Sequence, residues 1–353
     1  MKKTSILIMS ILAGMMTFSA IAGSARDNLT TQHRPLIEEY TGTWCGWCPR
    51  GFTGMEMLRE TFGEDFIGVA IHNQDPMAVL TTSQYPSNIQ GFPSAFVDRS
   101  REVDPYYGIT DETPAGIIEY MQRMADRDAT AAIGVDAVWT NEDKTDIDVQ
   151  VSAFFTSNSL NGKYAIEVML IADDLYGSNS GWTQANFYRT YASYFADDPY
   201  LAQWTTKSSN VKGLHFNDVL VGTSGIVSGS LPNLIIANDI YDFNYTFTLS
   251  QLKIPSLIQN KDNLHVIAII VDTSTKRVIN ANRSYISEPA IEIVPGDVNN
   301  DGFVTIADVT DLIDYILTSE VEEFNPTNAD VDYDGEISIG DLTSIIDMVL
   351  SSN

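Results

Sequence analysis

Hydrophobic and polar positions follow different rhythms in successive parts of the chain, and each rhythm predicts its own architecture. Pro35 to Tyr40 reads as a buried strand, and after it Phe52, Met55, Leu58 and Phe62 recur at helical spacing up to a stop at Gly63. Phe66 to Ile71 is a continuous apolar run of the kind a central strand carries. Pro93 leads into a further strand ending near Asp98. Thr113 and Pro114 then supply a cap and a first residue for a helix with Ile117, Ile118, Met121 and Met124 on one side. Strand, helix, strand, strand, helix over about 95 residues predicts an α/β layer around one sheet.

From about Ala131 to Ile286 the rhythm changes to alternation, in Ile147–Phe154, Tyr164–Ile171, Phe243–Leu249 and Leu264–Val271. Period-two runs bounded by Asn, Gly, Asp and Ser predict an all-β sandwich. Between Trp182 and Trp204 lies an aromatic-rich insertion containing Phe187, Tyr188, Tyr191, Tyr194 and Phe195. Such a stripe reads as packing before it reads as a ligand cleft, because each ring can bury a large apolar area. These strands carry no clustered His, Cys or paired carboxylates, so the segment is expected to bind or present, with the insertion as its contact surface. A linker at 289–296 follows, and beyond it a pattern repeats at a 33-residue offset.

Composition agrees with folded domains: 44% of the 353 residues are apolar and 19% are charged. The formal charge of −27 argues against nucleic acid and against adsorption to an anionic membrane. Much of that excess lies at one end, since 15 acids and no Lys or Arg occur from Glu292 onward. At the other end, Lys2 and Lys3 precede an apolar run from Ile6 to Ala22 that closes on small residues, so 1–22 reads as a secretory signal peptide. Ser, Gly and Thr interrupt the run, which falls short of the roughly 20 apolar residues a membrane span requires. The mature chain is therefore expected to be exported without a membrane span, to the periplasm, the outer-membrane surface or the extracellular space. Two cysteines, Cys45 and Cys48, are too few for a framework of structural disulfides, so any redox chemistry is local to that pair.

A Cys-x-x-Cys at the start of a helix is reactive because unpaired amide hydrogens and the helix dipole stabilise the first thiolate. The second thiol, one turn along, can close the disulfide after a mixed disulfide forms. A structural bridge and half of a zinc site are the alternatives. Zinc needs two more ligands, and His33, His72, His215 and His265 show no metal spacing.

Trp44, Cys45, Gly46, Trp47 and Cys48 after a buried strand, with Gly91, Phe92 and Pro93 before the next, make the segment 34–128 resemble the thioredoxin fold. The resemblance implies that Cys45 is an exposed nucleophile, Cys48 the resolving thiol, and Pro93 a cis-proline whose neighbouring backbone pairs with substrate. It also implies that Glu39, six residues before Cys45, is a buried carboxylate relaying a proton to the resolving thiol; the alternative is a surface carboxylate on the strand. The partners implied are protein thiols or disulfides. Gly46 and Trp47 replace the Gly-Pro of reducing thioredoxins, which leaves the redox direction open, and there is no room for the family's usual extra N-terminal strand and helix. Joined to a downstream β domain, the motif is also similar to exported, outer-membrane-associated thioredoxin-like proteins of Bacteroidetes-type anaerobes.

The repeat places Asp297, Asn299, Asp301, Phe303, Thr305 and Asp308 at positions 1, 3, 5, 7, 9 and 12 of one loop. Asp330, Asp332, Asp334, Glu336, Ser338 and Asp341 occupy the same positions in the second. With Gly302 and Gly335 at position 6, each loop can wrap one hard cation, position 7 lending its backbone carbonyl. Two loops predict two calcium ions. Apolar helices follow at 312–317 and 342–346. Asp at position 12, one helix after each loop and the tandem arrangement make 297–350 resemble a dockerin module. That resemblance implies a cohesin-like partner read by Ile306, Ala307, Ile339 and Gly340, although the basic residues common in the second helix of such dockerins are absent. The fold expected is multidomain: an α/β thioredoxin-like domain at 34–128, an all-β sandwich at 129–288 and a small α dockerin-like calcium module at 297–350. The function expected is exported thiol–disulfide exchange with a docking tail; the alternative is a non-enzymatic binding or complex-forming protein whose cysteines staple a loop.

Overall fold

The computed structural model describes residues 25–110, 113–160, 162–225, 231–289, 294–319, 321 and 324–351. The expected signal peptide at 1–22 lies outside the described residues. The chain divides into two compact units, one ending at Pro289 and the other beginning at Ala290.

In the first unit, β1 (Leu36–Thr41) is buried throughout, Glu38 and Glu39 included. Helix α1 (Pro49–Phe62) starts at a proline and ends where Gly63, at φ 54°, donates its N–H to Arg59 O. β2 (Ile67–His72) runs parallel to β1, while β3 (Ser94–Val97) and β4 (Arg101–Val103) add antiparallel on its other side. Helix α2 (Gly116–Ala125) begins two residues after the expected Pro114. A Cβ at Gly116 would lie 2.3 Å from Tyr107 O, so a close backbone approach sets the helix start, and Thr113 and Pro114 stay in the preceding turn.

The strands that follow are β5 (Asp128–Trp139), β6 (Asp146–Phe155), β7 (Tyr164–Ala172), β8 (Gln184–Ala185), β9 (Asn210–Val211), β10 (Val219–Thr223), β11 (Tyr241–Thr248), β12 (Leu264–Asp272) and β13 (Val278–Ser287). The main sheet path runs β11-β6-β5-β13-β12-β7-β10-β2-β1-β3-β4. Because β10 joins β2 through the pair Val219 and Ala70, strands from 34–128 and 129–288 lie in one sheet path, and the expected boundary at 128 falls inside a compact unit. No local pattern announces that pairing.

The path folds into sandwich-like layers. Leu36, Tyr40, Ile67, Val69 and Ile71 share a core with Ile133, Val135, Ile147 and Val149 of β5 and β6 and with Ile166, Val168, Val266 and Ala268 of β7 and β12. On the opposite face, Ile37, Ala95 and Val97 meet Met55 and Leu58 of α1 and Ile117, Met121 and Met124 of α2. Each large side chain fully buried in these layers contributes roughly 1.5–3 kcal/mol. Of the two acidic residues within β1, Glu38 is paired: Arg99 donates to both its oxygens, at 2.7 Å and 3.0 Å, and to Glu167 Oε2 of β7 at 2.8 Å. A buried arginine shared by two carboxylates fixes β3's end against both strands, and removing any one member strands a charge.

In the second unit, α3 (Ile306–Thr318), the single turn α4 (Pro326–Ala329) and α5 (Ile339–Ser351) enclose a small core of Val298, Val309, Leu312, Ala329 and Ile345. Both helices α3 and α5 are longer than the apolar runs at 312–317 and 342–346, because Thr305 caps the first and the position-12 carboxylates sit in the first turns.

Candidate functional site

Two sites carry the chemistry-bearing residues, one in each unit. In the first, Cys45 and Cys48 form a disulfide in a turn where Cys48 N–H donates to Cys45 O at 3.2 Å. Cys48 is the N-cap of α1, so Cys45 lies three residues ahead of it rather than in the first helical turn. The implied exposure of Cys45 needs correction: Cys45 is 5% exposed and Cys48 1%.

The cover comes from the aromatic insertion. Ala185 N–H donates to Thr43 O at 2.7 Å and Phe187 N–H to Gly46 O at 2.9 Å, so the segment beside β8 bonds along the cysteine turn. Gln184 Nε2 donates to Cys45 O at 2.8 Å, and Thr43 Oγ1 to Gly181 O at 2.7 Å. Gly46 is required there, since a Cβ would lie 2.4 Å from the Phe187 ring. Trp47 is held among Phe187, Tyr188, Tyr191 and Phe195, with centroid distances of 5.6, 5.5, 5.3 and 6.2 Å. Trp204 anchors the far end, donating its indole N–H to Thr53 Oγ1 of α1 at 2.8 Å. Tyr188 and Trp204 are buried while Phe187, Tyr191 and Tyr194 are 46%, 45% and 81% exposed, so the insertion packs on the cysteine turn and α1 with one part of its aromatic residues and leaves the other part open to solvent.

Glu39 is buried at 3% exposure, which excludes its alternative reading as a surface carboxylate. A Cβ at Gly51 would lie 1.9 Å from Glu39 Oε1, and Gly51 N–H donates to Cys48 O at 2.9 Å, so the carboxyl sits against the first turn of α1 directly behind Cys48. Its Oε1 has no hydrogen-bond partner among the described residues. Burial pushes its pKa up to about 8, against a hydrogen bond with Thr41 and with help from Asp218 and Asp104. The peptide bond from Phe92 to Pro93 is cis, and the Phe92 ring lies 5.3 Å from Trp44, which is 48% exposed beside Cys45. Gln184, Phe187, Arg59 and Asp218 also border this site, and nothing in their local sequence assigns them to it. Each histidine has an aspartate beside it: His33 with Asp98, His72 with Asp75, His215 with Asp174 and His265 with Asp173.

The second site is the pair of acidic loops. Asn300 and Gly302 in one loop, and Tyr333 and Gly335 in the other, adopt positive φ at matching positions. Asp330, Asp332 and Asp334 each bring a carboxylate oxygen within 4.8 Å of the others. Asp330 Oδ1 is buried and has no hydrogen-bond partner among the described residues, as expected of an oxygen reserved for a cation. In the first loop Asp297 accepts from Asp301 N–H at 3.1 Å and Gly302 N–H at 3.0 Å, and Asn299 accepts from Asp301 N–H at 3.1 Å. Phe303 and Glu336 N–H groups donate to Asp301 and Asp334 at 2.9 Å and 2.8 Å. Thr305 and Ser338 turn their hydroxyls to Ala307 N–H and Gly340 N–H at 3.1 Å and 3.0 Å, so they cap α3 and α5. Asp308 and Asp341 are fully buried, and each accepts backbone N–H groups from both ends of its loop. The hard oxygen donors around a glycine turn suit calcium.

Residues 295–350 match the dockerin type I domain, so the C-terminal unit carries that module. No curated protein matches the chain. Among solved structures, HBP35 of Porphyromonas gingivalis is 15% identical over 74% of this chain and 78% of its own, with a TM-score of 0.49. A domain of the outer membrane lipoprotein Omp28 from Porphyromonas gingivalis is 16% identical over 46% of this chain and 92% of its own, with a TM-score of 0.26. Among the described residues no helix is long and apolar enough to cross a membrane.

Proposed function

We propose that this chain is an exported thiol–disulfide oxidoreductase whose thioredoxin-like segment works through Cys45 and Cys48, tethered to a larger complex by its dockerin tail. The observation that carries this reading is Glu39, a buried carboxyl with an unpartnered oxygen set behind the Cys48 turn. A disulfide that only staples a loop has no use for such a group, whose burial costs stability and which proton transfer to a neighbouring sulfur would put to use. In the proposed cycle Cys45 forms the mixed disulfide, Cys48 resolves it, Glu39 exchanges the proton with the Cys48 sulfur, and the backbone beside Pro93 orients the partner. The tail binds two calcium ions, one per loop, through Asp297, Asn299, Asp301 and Asp308 and through Asp330, Asp332, Asp334 and Asp341. Phe303 and Glu336 contribute backbone carbonyls, Thr305 and Ser338 lend their hydroxyl oxygens as well as capping the helices, and a cohesin-like domain is the partner. Calcium supplies the charge that lets these carboxylates lie together.

The test is the reduction potential of the cysteine pair together with insulin-disulfide reduction. Loss of turnover in Cys45→Ser and a trapped adduct in Cys48→Ser are expected. A potential far below about −300 mV with no turnover would instead establish a structural bridge. That second reading draws on the burial of both cysteines beneath the aromatic insertion, and it makes the protein a non-enzymatic member of the complex.

A further inference from the structure

A small cleft opens behind the disulfide, walled by groups from both halves of the first unit. Glu39 shares it with Glu56 and Arg59 of α1, His72 of β2, Gln184 of β8 and Asp218 just before β10. The room inside is about 30 Å³, enough for a water molecule, and these groups supply the polar partners a buried water requires. Asp218 is 3% exposed and is ion-paired with Arg59, whose side chain is 31% exposed and reaches solvent. Resting on the thiol–disulfide reading above, we propose that Asp218, held by Arg59, is the proton port of Glu39, a positioning residue that passes protons between solvent and the buried carboxyl through the cleft.

The need for a port follows from the exchange itself. A dithiol attacks the Cys45 sulfur as its thiolate, the bond from Cys45 to Cys48 breaks, and Cys48 leaves as a thiolate that takes the proton of Glu39. The second thiol of the reductant, deprotonated, displaces Cys45, which takes its proton from solvent. The dithiol is thereby oxidised to its disulfide and the cysteine pair gains two electrons and two protons, the reductant having released its own two protons to water. Glu39 is left as a carboxylate at 3% exposure, next to a Cys48 at 1% exposure, and while the pair stays reduced it can regain a proton only from outside. Burial pushes Glu39 up to about 8 and Asp218 up to about 6, Arg59 opposing the latter. Between those values the outer carboxyl is ionised and the inner one protonated, the order in which an inlet hands protons inward. The other charges facing the pair are Asp104 toward Glu39, and Asp173, His265 and Arg283 toward Asp218.

The experiment uses the full chain, with dithiothreitol as the reductant and tryptophan fluorescence as the signal, from about pH 5 to about pH 9. Ratios of variant to wild-type rates cancel the reductant's own ionisation. Asp218→Asn, which tolerates the positive φ of 56° at this position, is expected to slow about tenfold the proton uptake that follows reduction near neutral pH, read with a pH-indicator dye in weak buffer, and in the rate profile to erase the lower inflection and to move the upper one down. Arg59→Met should raise the lower inflection, and Glu39→Gln should erase the upper one and make Asp218→Asn silent in the double variant. An Asp218→Asn profile parallel to wild type overturns the port. Carbon-13 titration of the Glu39 carboxyl in the oxidised protein separates this inference from the function it rests on. If wild type fails to exchange with protein disulfides, the proposed function falls, while a lowered Glu39 midpoint in Asp218→Asn still upholds the coupling; an unmoved midpoint sinks the port whatever the exchange activity.

Discussion

The two candidate sites are built on opposite plans. Each acidic loop draws its donors from twelve consecutive residues, and short turns position them: Asp301 and Asp334 accept from residues two further on, and Asp330 accepts from Gly335. The disulfide site draws on Glu39, the 45–48 turn, Gln184, Phe187 and Asp218, gathered across one sheet and one insertion. A contiguous site needs only its own loop and an ion, whereas an assembled site needs the whole unit folded around it. The contrast teaches where each is vulnerable.

The largest expected effect breaks the local site alone. Without a cation the three carboxylates of the second loop repel one another within 4.8 Å, and among the described residues the unit's core has five buried apolar side chains to oppose them. At a thousandfold excess of calcium over Kd, each ion contributes about 4 kcal/mol, so chelation should melt α3 and α5 and expose 294–351 to protease. The melting of the first unit should not move. Circular dichroism and limited proteolysis with and without chelator measure both, and equal resistance in the two conditions would end the idea of calcium-coupled folding.

The next effect strikes the assembled site from a distance. Trp204 is 2% exposed and holds the insertion to α1 through Thr53 and an edge-on contact with Phe52 at 5.9 Å. Trp204→Ala should destabilise the first unit by about 3–5 kcal/mol. In protein that is still folded, dithiothreitol should reduce the disulfide about tenfold faster, because the covering segment opens more often. An unchanged rate would mean that the insertion does not limit access to Cys45.

This difference in plan also decides what could be read from the sequence. The repeat was legible as two loops in register because spacing alone specifies a loop. The strands Tyr164–Ala172 and Leu264–Asp272 were legible as strands, but they are buried on both faces rather than alternating, since each lies between two neighbours inside the sheet. β5 and β13 were missed as separate strands: β5 mixes alanines and a glycine with few large residues, and β13 carries Asn280, Asn282 and Arg283. Those asparagines are buried because Asn280 donates to Ala131 O and Asn282 to Ile133 O, both at 3.0 Å, a tertiary satisfaction that no local pattern displays. The aromatic insertion was legible as packing only for its buried part, Tyr188 and Trp204, and its target was not legible, since 139 residues separate Gln184 from the Cys45 oxygen it bonds.

A smaller effect tests the assembled plan through pH. His33 Nδ1 lies 2.6 Å from Met124 O and Nε2 3.2 Å from Asp98 Oδ2; both partners only accept, so both ring nitrogens carry hydrogen and the ring is charged. Burial works against that charge, but the bonds to Asp98 and Met124 outweigh it and hold the pKa above its ordinary value. A raised folded pKa gives stability that is fully present below the unfolded value of about 6.5 and is lost as pH rises through the folded value. His33→Gln should flatten this dependence. Urea midpoints measured below and above neutrality decide it, and a wild-type midpoint that does not fall with rising pH contradicts the charged clasp.

The smallest expected effect sharpens the local plan. If Phe303 serves the first loop only through its backbone, its ring is dispensable, and the ring is 71% exposed. What the loop needs at that residue is the N–H bonded to Asp301 and a carbonyl turned inward, both of which survive truncation to alanine. Phe303→Ala should therefore change calcium affinity less than about twofold and stability by less than about 0.5 kcal/mol. Asp301→Ala removes a carboxylate and the acceptor that shapes the turn, so it should abolish the first site while leaving Asp330, Asp332 and Asp334 to bind. Calorimetric titration of calcium into the two variants separates these cases. A strong loss in Phe303→Ala would show that the loop depends on contacts beyond its own twelve residues, which would erase the distinction between the two plans.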